Sequence, residues 1–353
     1  MIRDWIETAA RRHGGAVYLA DARGERTLTY EGLLDALVAW EHVLDDAGLP
    51  RGAPIAVRAP DPLDYATTLV ALLGAGRVVV PLDPGAPPAD VARVLDVAEP
   101  VAVSEGSFGI KIVGKPGGDA DGAGIYLCTS GTTGTPKGIL LRDEQLAHVA
   151  ASVASQHKIS LNDRGYCSLP LFHVNAEVVG LLATLSAGAF LAVDRKFSRR
   201  GFWDMIARHR ITWINAVPAI ISILAMDPPA QVPAGIRFIR SASAPLPRAA
   251  LQGFEAAFGI PVVETYGMTE AASMITANPV DGVRKPGSAG KPAGTEVRVV
   301  TMSELGTVTP CGPSEIGRVQ IRGTGVITSY ASGGRPGVIS PGGWLDTSDL
   351  GYL

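Results

Sequence analysis

Residues 129–138, TSGTTGTPKG, bring together the side chains and backbone that bind phosphate. Thr129, Ser130, Thr132 and Thr133 offer hydroxyl donors. Gly131 and Gly134 let backbone N–H groups turn towards a ligand at close range, and Lys137 adds a full positive charge. The combination predicts a phosphate cradle. It is not a Walker A loop, because Pro136 stands where that pattern needs Gly and Gly138 where it needs Ser or Thr.

A cradle needs strands to hold it. Apolar runs at 125–128 and 139–141 flank it and read as buried strands. Upstream, strands expected at 54–58, 78–81 and 101–103 alternate with helices at 63–75 and 90–98, the mark of an α/β unit with a mainly parallel sheet. Thr29 can cap a helix over 30–48, Asp143 another over 144–153 and Ser198 one that carries Phe202, Met205 and Ile206. Helical spacing continues over 177–185. A second alternating block has strands at 212–217, 236–240 and 261–264, with Pro218 and Pro247 at the openings of helices. The loops at 241–245 and 265–270 follow strand ends, where such sheets bind ligands, so both are candidate pocket walls. From residue 281 Gly and Pro recur, and short strands at 296–300, 317–322 and 326–330 predict a small β-barrel or sandwich. The expected division is 1–48 packing with the second α/β unit, 49–188 as the first α/β unit carrying the phosphate loop, 189–280 as the second, and 281–353 as the β unit.

The composition narrows the function. With 353 residues, 46% apolar and a net charge of −3, the chain can bury a large core and lacks the basic balance of a nucleic-acid surface. The three cysteines, Cys128, Cys167 and Cys311, show no metal or CxxC spacing and read as buried apolar residues in a reducing compartment. No apolar run is long enough for a signal peptide or membrane span, which predicts a cytoplasmic protein.

Four separated motifs, TSGTTGTPKG (129–138), LFHVN (171–175), TYGMTE (265–270) and GWLDTSD (343–349), resemble in order and spacing the core motifs of the adenylate-forming superfamily. That superfamily includes acyl- and aryl-CoA synthetases, peptide-synthetase adenylation domains and luciferases. The resemblance covers nearly the whole chain. It implies attack of a carboxylate on the α-phosphate of ATP, giving an acyl-adenylate and pyrophosphate, followed by acyl transfer to a thiol, usually of CoA. It also implies two α/β subdomains, a barrel and a small mobile C-terminal domain. The hinge and lysine of that last domain find no counterpart in the 353 residues, so the resemblance describes the N-terminal ATP- and acid-binding part, with greatly weakened adenylation and loss of thioester formation expected of these residues alone.

On this resemblance Thr129 to Gly134 and Lys137 would hold the β- and γ-phosphates, and Thr269 would touch the α-phosphate. Glu270 would bind Mg²⁺, a hard cation suited to a carboxylate beside phosphate oxygens. Tyr266 would stack on adenine, with Ser243, Ala244, Pro245, Glu264, Thr265, Gly267 and Met268 around the nucleotide. Asp349 would accept both ribose hydroxyls, since one carboxylate can take two donors. Ser348 departs from the glycine usual before this aspartate and places a β-carbon in a tight approach.

His173 follows Phe172 where amino-acid-activating relatives usually carry an aspartate for the substrate ammonium. Its presence favours an acid without an α-amino group. The acyl pocket is expected from His173, Asn175, Val217, Ser241, Ala242, Gly267, Met268 and Met274, a mostly apolar set suited to a hydrophobic or aromatic acid more than to a dicarboxylate. Arg240 is expected in a salt bridge at the strand edge. CoA is the expected acceptor, with a carrier protein as one alternative and a catalytically silent nucleotide- or acyl-binding module as another. A homodimer is compatible with the sequence, and neither the particular acid nor the pathway is legible in it.

Overall fold

A computed structural model describes residues 1–115, 117, 122–129, 137–226, 228–229, 231–302, 308–334 and 336–353. Its backbone forms two α/β layers and an antiparallel sheet. In the first layer Pro54–Val57 pairs in parallel with Val78–Pro81 and Ala102–Ser104, and Val78–Pro81 pairs in parallel with Gly124–Thr129. Ile110–Ile112 and Lys137–Arg142 close the two edges antiparallel. The run Val78, Val79 and Val80 forms a strand because β-branched side chains suit a pleated surface covered on both faces, and all of Val78–Pro81 is buried. Helix Pro62–Gly74 connects two of these strands. Asp61 caps it by accepting from the N–H groups of Leu63 (2.9 Å) and Asp64 (3.0 Å). Most of its residues are buried, because it packs against helices Ile2–His13 and Tyr30–Asp46 as well as against strands of both layers.

The second layer has nine strands. Its parallel centre runs Val262–Tyr266, Phe238–Ser241, Trp213–Ala216, Arg164–Cys167, Phe190–Val193 and Val17–Asp21. The N-terminal hairpin supplies Val17–Asp21 and Thr27–Thr29 at one edge, and the sheet draws in Arg164–Cys167 from ahead of residue 189. Pro218 and Pro247 stand at the starts of helices Pro218–Ala225 and Arg248–Phe258, as their missing N–H groups favour. Thr29 caps Tyr30–Asp46 by accepting from Gly32 N at 3.0 Å.

The third sheet is antiparallel, in the order Val308–Pro310, Glu296–Met302, Gly317–Arg322, Leu345–Gly351. The strand expected at 326–330 is instead irregular. Ile327 spends its N–H on the carbonyl of Glu270 (2.9 Å), and the chain leaves the sheet to cross the site and pair Ala331 and Ser332 with Gly138.

Two expected caps also differ. Asp143 turns away from its own helix and accepts from the first helix, at Ile2 N (3.2 Å) and the terminal ammonium (2.8 Å). The helix expected to be capped by Ser198 begins at Phe202 after Gly201. The segment expected as a regular helix over 177–185 is a π-helix, Asn175–Leu182, running into Ala183–Ser186. π-Turns concentrate at functional sites, and this one begins at a residue of the cleft described below. Cys167 is buried, whereas Cys128 and Cys311 are half-buried; all three are free thiols. No helix among the described residues is long and apolar enough to cross a membrane.

Candidate active site

Two clefts open at the strand ends of the nine-stranded sheet. One, of about 500 Å³, is lined by His173, Asn175, Val217, Arg240, Ala242, Met268 and Thr269, with Thr129 reaching in from the first layer. The other, of about 420 Å³, is lined by Ser241, Ala244, Pro245, Glu264, Thr265, Tyr266 and, from the antiparallel sheet, Asp349. Ser243 and Gly267 line both, so the clefts meet there. The chain reaches this junction in an unusual backbone: Ser243 has φ +71°, a left-handed conformation that ordinary side chains avoid. Gly267 has no substitute at its position. A β-carbon there would lie 1.4 Å from the carbonyl oxygen of Ser273.

The loop after Val262–Tyr266 tightens into a short 3₁₀ turn, Thr269–Ala271. Ala272 (φ +48°) and Ser273 (φ +98°) then reverse the chain. This corrects the expected acyl pocket: Ser273 faces the cleft, while Met274 is fully buried in the core. Ser241 belongs to the second cleft rather than the first.

Ser130, Gly131, Thr132, Thr133 and Gly134 lie outside the described residues. Lys137 opens strand Lys137–Arg142, and its ammonium stands 5.3 Å from the ring centre of Tyr330, within cation–π range. The hydroxyl of Tyr330 donates to Glu270 Oε1 at 2.9 Å. Tyr330 thus joins the lysine of the expected cradle to the carboxylate expected to meet Mg²⁺. The latch beneath it is tight. Gly138 N donates to Ser332 at both its carbonyl (3.0 Å) and Oγ (3.1 Å), and a β-carbon on Gly138 would meet the Tyr126 hydroxyl at 2.0 Å.

Glu270 suits magnesium. It is 9% exposed, its Oε1 is bound by a neutral hydroxyl, and Oε2 has no partner among the described residues. Magnesium asks for one or two carboxylates beside water and phosphate oxygens, and Glu270 can supply one.

In the second cleft Tyr266 donates to Asp349 Oδ2 at 2.5 Å. Desolvation, helped by this carboxylate, raises the phenol pKa. Ser348, just before Asp349, adopts φ +68°. Glu264 accepts from Gly287 N at 2.9 Å, and desolvation raises its pKa. His173 is exposed at the mouth of the first cleft, tilted against Phe172 at 4.7 Å. The surrounding protein still desolvates the ring enough to lower its pKa, with Asp83 pulling the other way.

The floor of the first cleft departs most from expectation. Arg240 makes no salt bridge among the described residues and is 1% exposed. Its Nη1 donates to Asn175 Oδ1 (2.9 Å) and Asn215 Oδ1 (3.1 Å). Asn215 Nδ2 donates to Asn175 Oδ1 (3.2 Å), and Asn175 Nδ2 donates to Ser243 Oγ (3.2 Å). Desolvation brings the guanidinium pKa down to about 9, which leaves it charged at neutral pH. Sequence reading missed Asn215, Tyr330 and Ser273. Only Asn215 left a signal, a carboxamide inside the otherwise apolar strand Trp213–Ala216.

A cleft at the strand ends of a doubly layered α/β protein, continuous with a second cleft that ends on a carboxylate, lies where such sheets place their ligands. The chain belongs to the AMP-binding enzyme family, whose model matches residues 6–109 and 115–331. It is 43% identical to a sulfoacetate–CoA ligase of Cupriavidus necator over 237 residues, 66% of this chain and 45% of that protein. It is 31% identical to an oxalate–CoA ligase of Arabidopsis thaliana over 379 residues, 94% of this chain and 72% of that protein. The chain therefore spans less than half the length of the first of these relatives. Among solved structures it resembles the o-succinylbenzoate CoA synthetase of Bacillus subtilis in complex with its acyl-adenylate intermediate, with TM-score 0.84 and 25% identity, covering 99% of this chain and 75% of that one.

Proposed function

We propose that this chain binds ATP and a carboxylic acid in the two joined clefts and forms an acyl-adenylate, which a thiol, that of CoA, then converts to a thioester. The observation that carries the reading is the meeting of the clefts at Ser243 and Gly267, with Tyr330 standing between Lys137 and Glu270. Asp349 and Tyr266 take the ribose and adenine. Thr269, which lines the acid cleft, contacts the α-phosphate. A carboxylate oxygen in that cleft attacks the α-phosphorus while the bond to the pyrophosphate oxygen breaks. Lys137 holds negative charge on the leaving pyrophosphate, a matter of positioning and electrostatics. Magnesium, held by Glu270, supplies further neutralisation of the phosphates. The sulfur of the thiol then bonds to the acyl carbon and AMP departs. His173, neutral at physiological pH because its pKa is lowered, stands at the mouth of the acid cleft and can orient the acid without adding charge.

Two ligases similar in sequence act, by their names, on sulfoacetate and oxalate, and one structural relative on o-succinylbenzoate. All three acids lack an α-amino group, which supports the reading of His173 as the mark of a non-amino acid substrate.

The test is calorimetric titration with AMP and with a non-hydrolysable acyl-sulfamoyl adenosine. Saturable binding of both, tighter for the acyl compound and weakened for AMP by Asp349→Ala, is expected. Absence of AMP binding overturns the reading. Acid-dependent exchange of pyrophosphate into ATP, lost in Lys137→Ala, checks the first step. Thioester formation with CoA checks the second.

A further inference from the structure

We infer that the acid this cleft takes carries a second anionic group, a carboxylate or sulfonate, and that Arg240 is the residue that receives it. The inference rests on the assignment of this cleft to the acid, and it names the substrate class. Its starting point is a charge with no carboxylate partner among the described residues. Arg240 is 1% exposed and lines the cleft. A buried charge left in this state costs several kcal/mol relative to water. Two carboxamides, of Asn175 and Asn215, receive Nη1 and fix the guanidinium plane, but they are neutral.

Nε has no hydrogen-bond partner among the described residues and is enclosed by the protein, whereas Nη2, which also makes no hydrogen bond among them, is not enclosed. These two nitrogens form one edge of the planar group, the edge that meets a carboxylate in parallel bonds. Arg322 in this molecule shows the pairing: its Nε and Nη2 hold the two oxygens of Glu296 at 3.0 and 2.8 Å. Arg240 has the same edge unpaired among the described residues, with Nη2 as the nitrogen an anion in the cleft can reach and Nε covered. Ser243, further along the same segment, marks the junction with the nucleotide cleft and is exposed, whereas Arg240 is buried; Asn175 hydrogen-bonds both, so the arginine stands one carboxamide away from the junction. An acid of a few carbons would place one carboxylate at the junction for adenylation and its second acidic group on the arginine. A monoacid would leave Arg240 as it stands, desolvated and unpaired. Asn175 and Asn215 act as positioning residues.

The experiment compares three acyl-sulfamoyl adenosines of matched length, carrying succinyl, 3-sulfopropionyl and butyryl groups. Their shared adenosine half reports the nucleotide cleft separately from the acid cleft. The wild-type chain is expected to bind the succinyl or sulfopropionyl compound about thirtyfold or more tightly than the butyryl compound. The order of the two anionic compounds decides between carboxylate and sulfonate. Arg240→Met is expected to abolish the preference, bringing the succinyl and sulfopropionyl compounds down to the affinity of the butyryl compound. Arg240→Lys, which keeps the charge but not the planar fork, should retain part of it. It remains a test should the methionine variant not fold. Equal binding of all three compounds by wild type overturns the inference and leaves the nucleotide reading standing. Failure of all three together with AMP overturns the functional reading itself.

Discussion

The phenolic hydroxyl of Tyr266 reaches Asp349 at 2.5 Å across 83 residues of sequence, tying the strand Val262–Tyr266 to the strand Leu345–Gly351 over the nucleotide cleft. One oxygen of the Asp349 carboxylate is engaged by Tyr266, and the other, Oδ1, accepts no hydrogen bond among the described residues. Asp349→Ala is expected to weaken AMP binding by about tenfold to a hundredfold, the loss of charge-assisted hydrogen bonds to the ribose. Calorimetry with AMP and with 2′,3′-dideoxy-AMP checks it: the variant should lose affinity for AMP only. An equal loss for both ligands would show that Asp349 acts through the fold and not through the ribose.

Ser348 holds φ +68°, where a β-carbon costs about 1–2 kcal/mol and glycine costs little. Part of that gain is returned by the larger entropy of glycine in the unfolded chain. Ser348→Gly should therefore raise unfolding stability by about 0.5–1 kcal/mol in a urea titration, with its N–H still bound to Asp346 Oδ1 at 2.8 Å. A destabilised variant would refute this account of the turn.

His157 is fully buried, packed edge-on to Phe238 at 5.5 Å, with no hydrogen-bond partner at either ring nitrogen among the described residues. Desolvation, with Arg240 and Arg237 adding repulsion, lowers its pKa to about 3. The unfolded chain takes up a proton below pH 6.5 while the folded one does not, so stability is lost as pH falls through that window. The loss reaches about 2 kcal/mol by pH 5. His157→Phe should be flatter than wild type between pH 6.5 and 4. Parallel stability curves would sink the prediction.

Glu177 presents the opposite sign. Both its oxygens are buried without partners among the described residues, and desolvation raises its pKa well above 4.5. The folded chain keeps the proton that the unfolded chain releases, so the stabilising effect is full below about pH 4.5 and is lost as pH rises towards the raised value. The slope is at most about 1.4 kcal/mol per pH unit. Glu177→Gln should be more stable than wild type at pH 7.5, with the difference shrinking towards pH 4.5. A difference that does not change with pH would exclude a protonated Glu177.

The alternation of strands and helices was legible because it depends on local periodicity and on where Pro and Gly stand: Pro62, Pro218 and Pro247 sit at the helix starts, and Thr29 caps as its type suggests. The residues of the two strand-end loops were legible for the same reason, since they belong to contiguous segments. The errors came where a side chain had a choice of neighbours. Asp143 could cap its own helix or another, and only the packing of the first helix decided it. Met274 and Ser273 exchanged roles because two positive φ angles reversed the chain.

By itself the sequence determined the class of fold, the two pocket-wall loops and the presence of Lys137, Glu270, His173 and Asp349, because each is a matter of residue type in a short segment. The tertiary structure decided that Tyr330 stands between Lys137 and Glu270, and that Arg240 lies buried among two asparagines with one edge unpaired among the described residues. Those relations join residues from 25 to 193 positions apart, by the differences 240 − 215 and 330 − 137. No local periodicity encodes such distances. They follow from which strands lie side by side, and so from the burial of the whole chain.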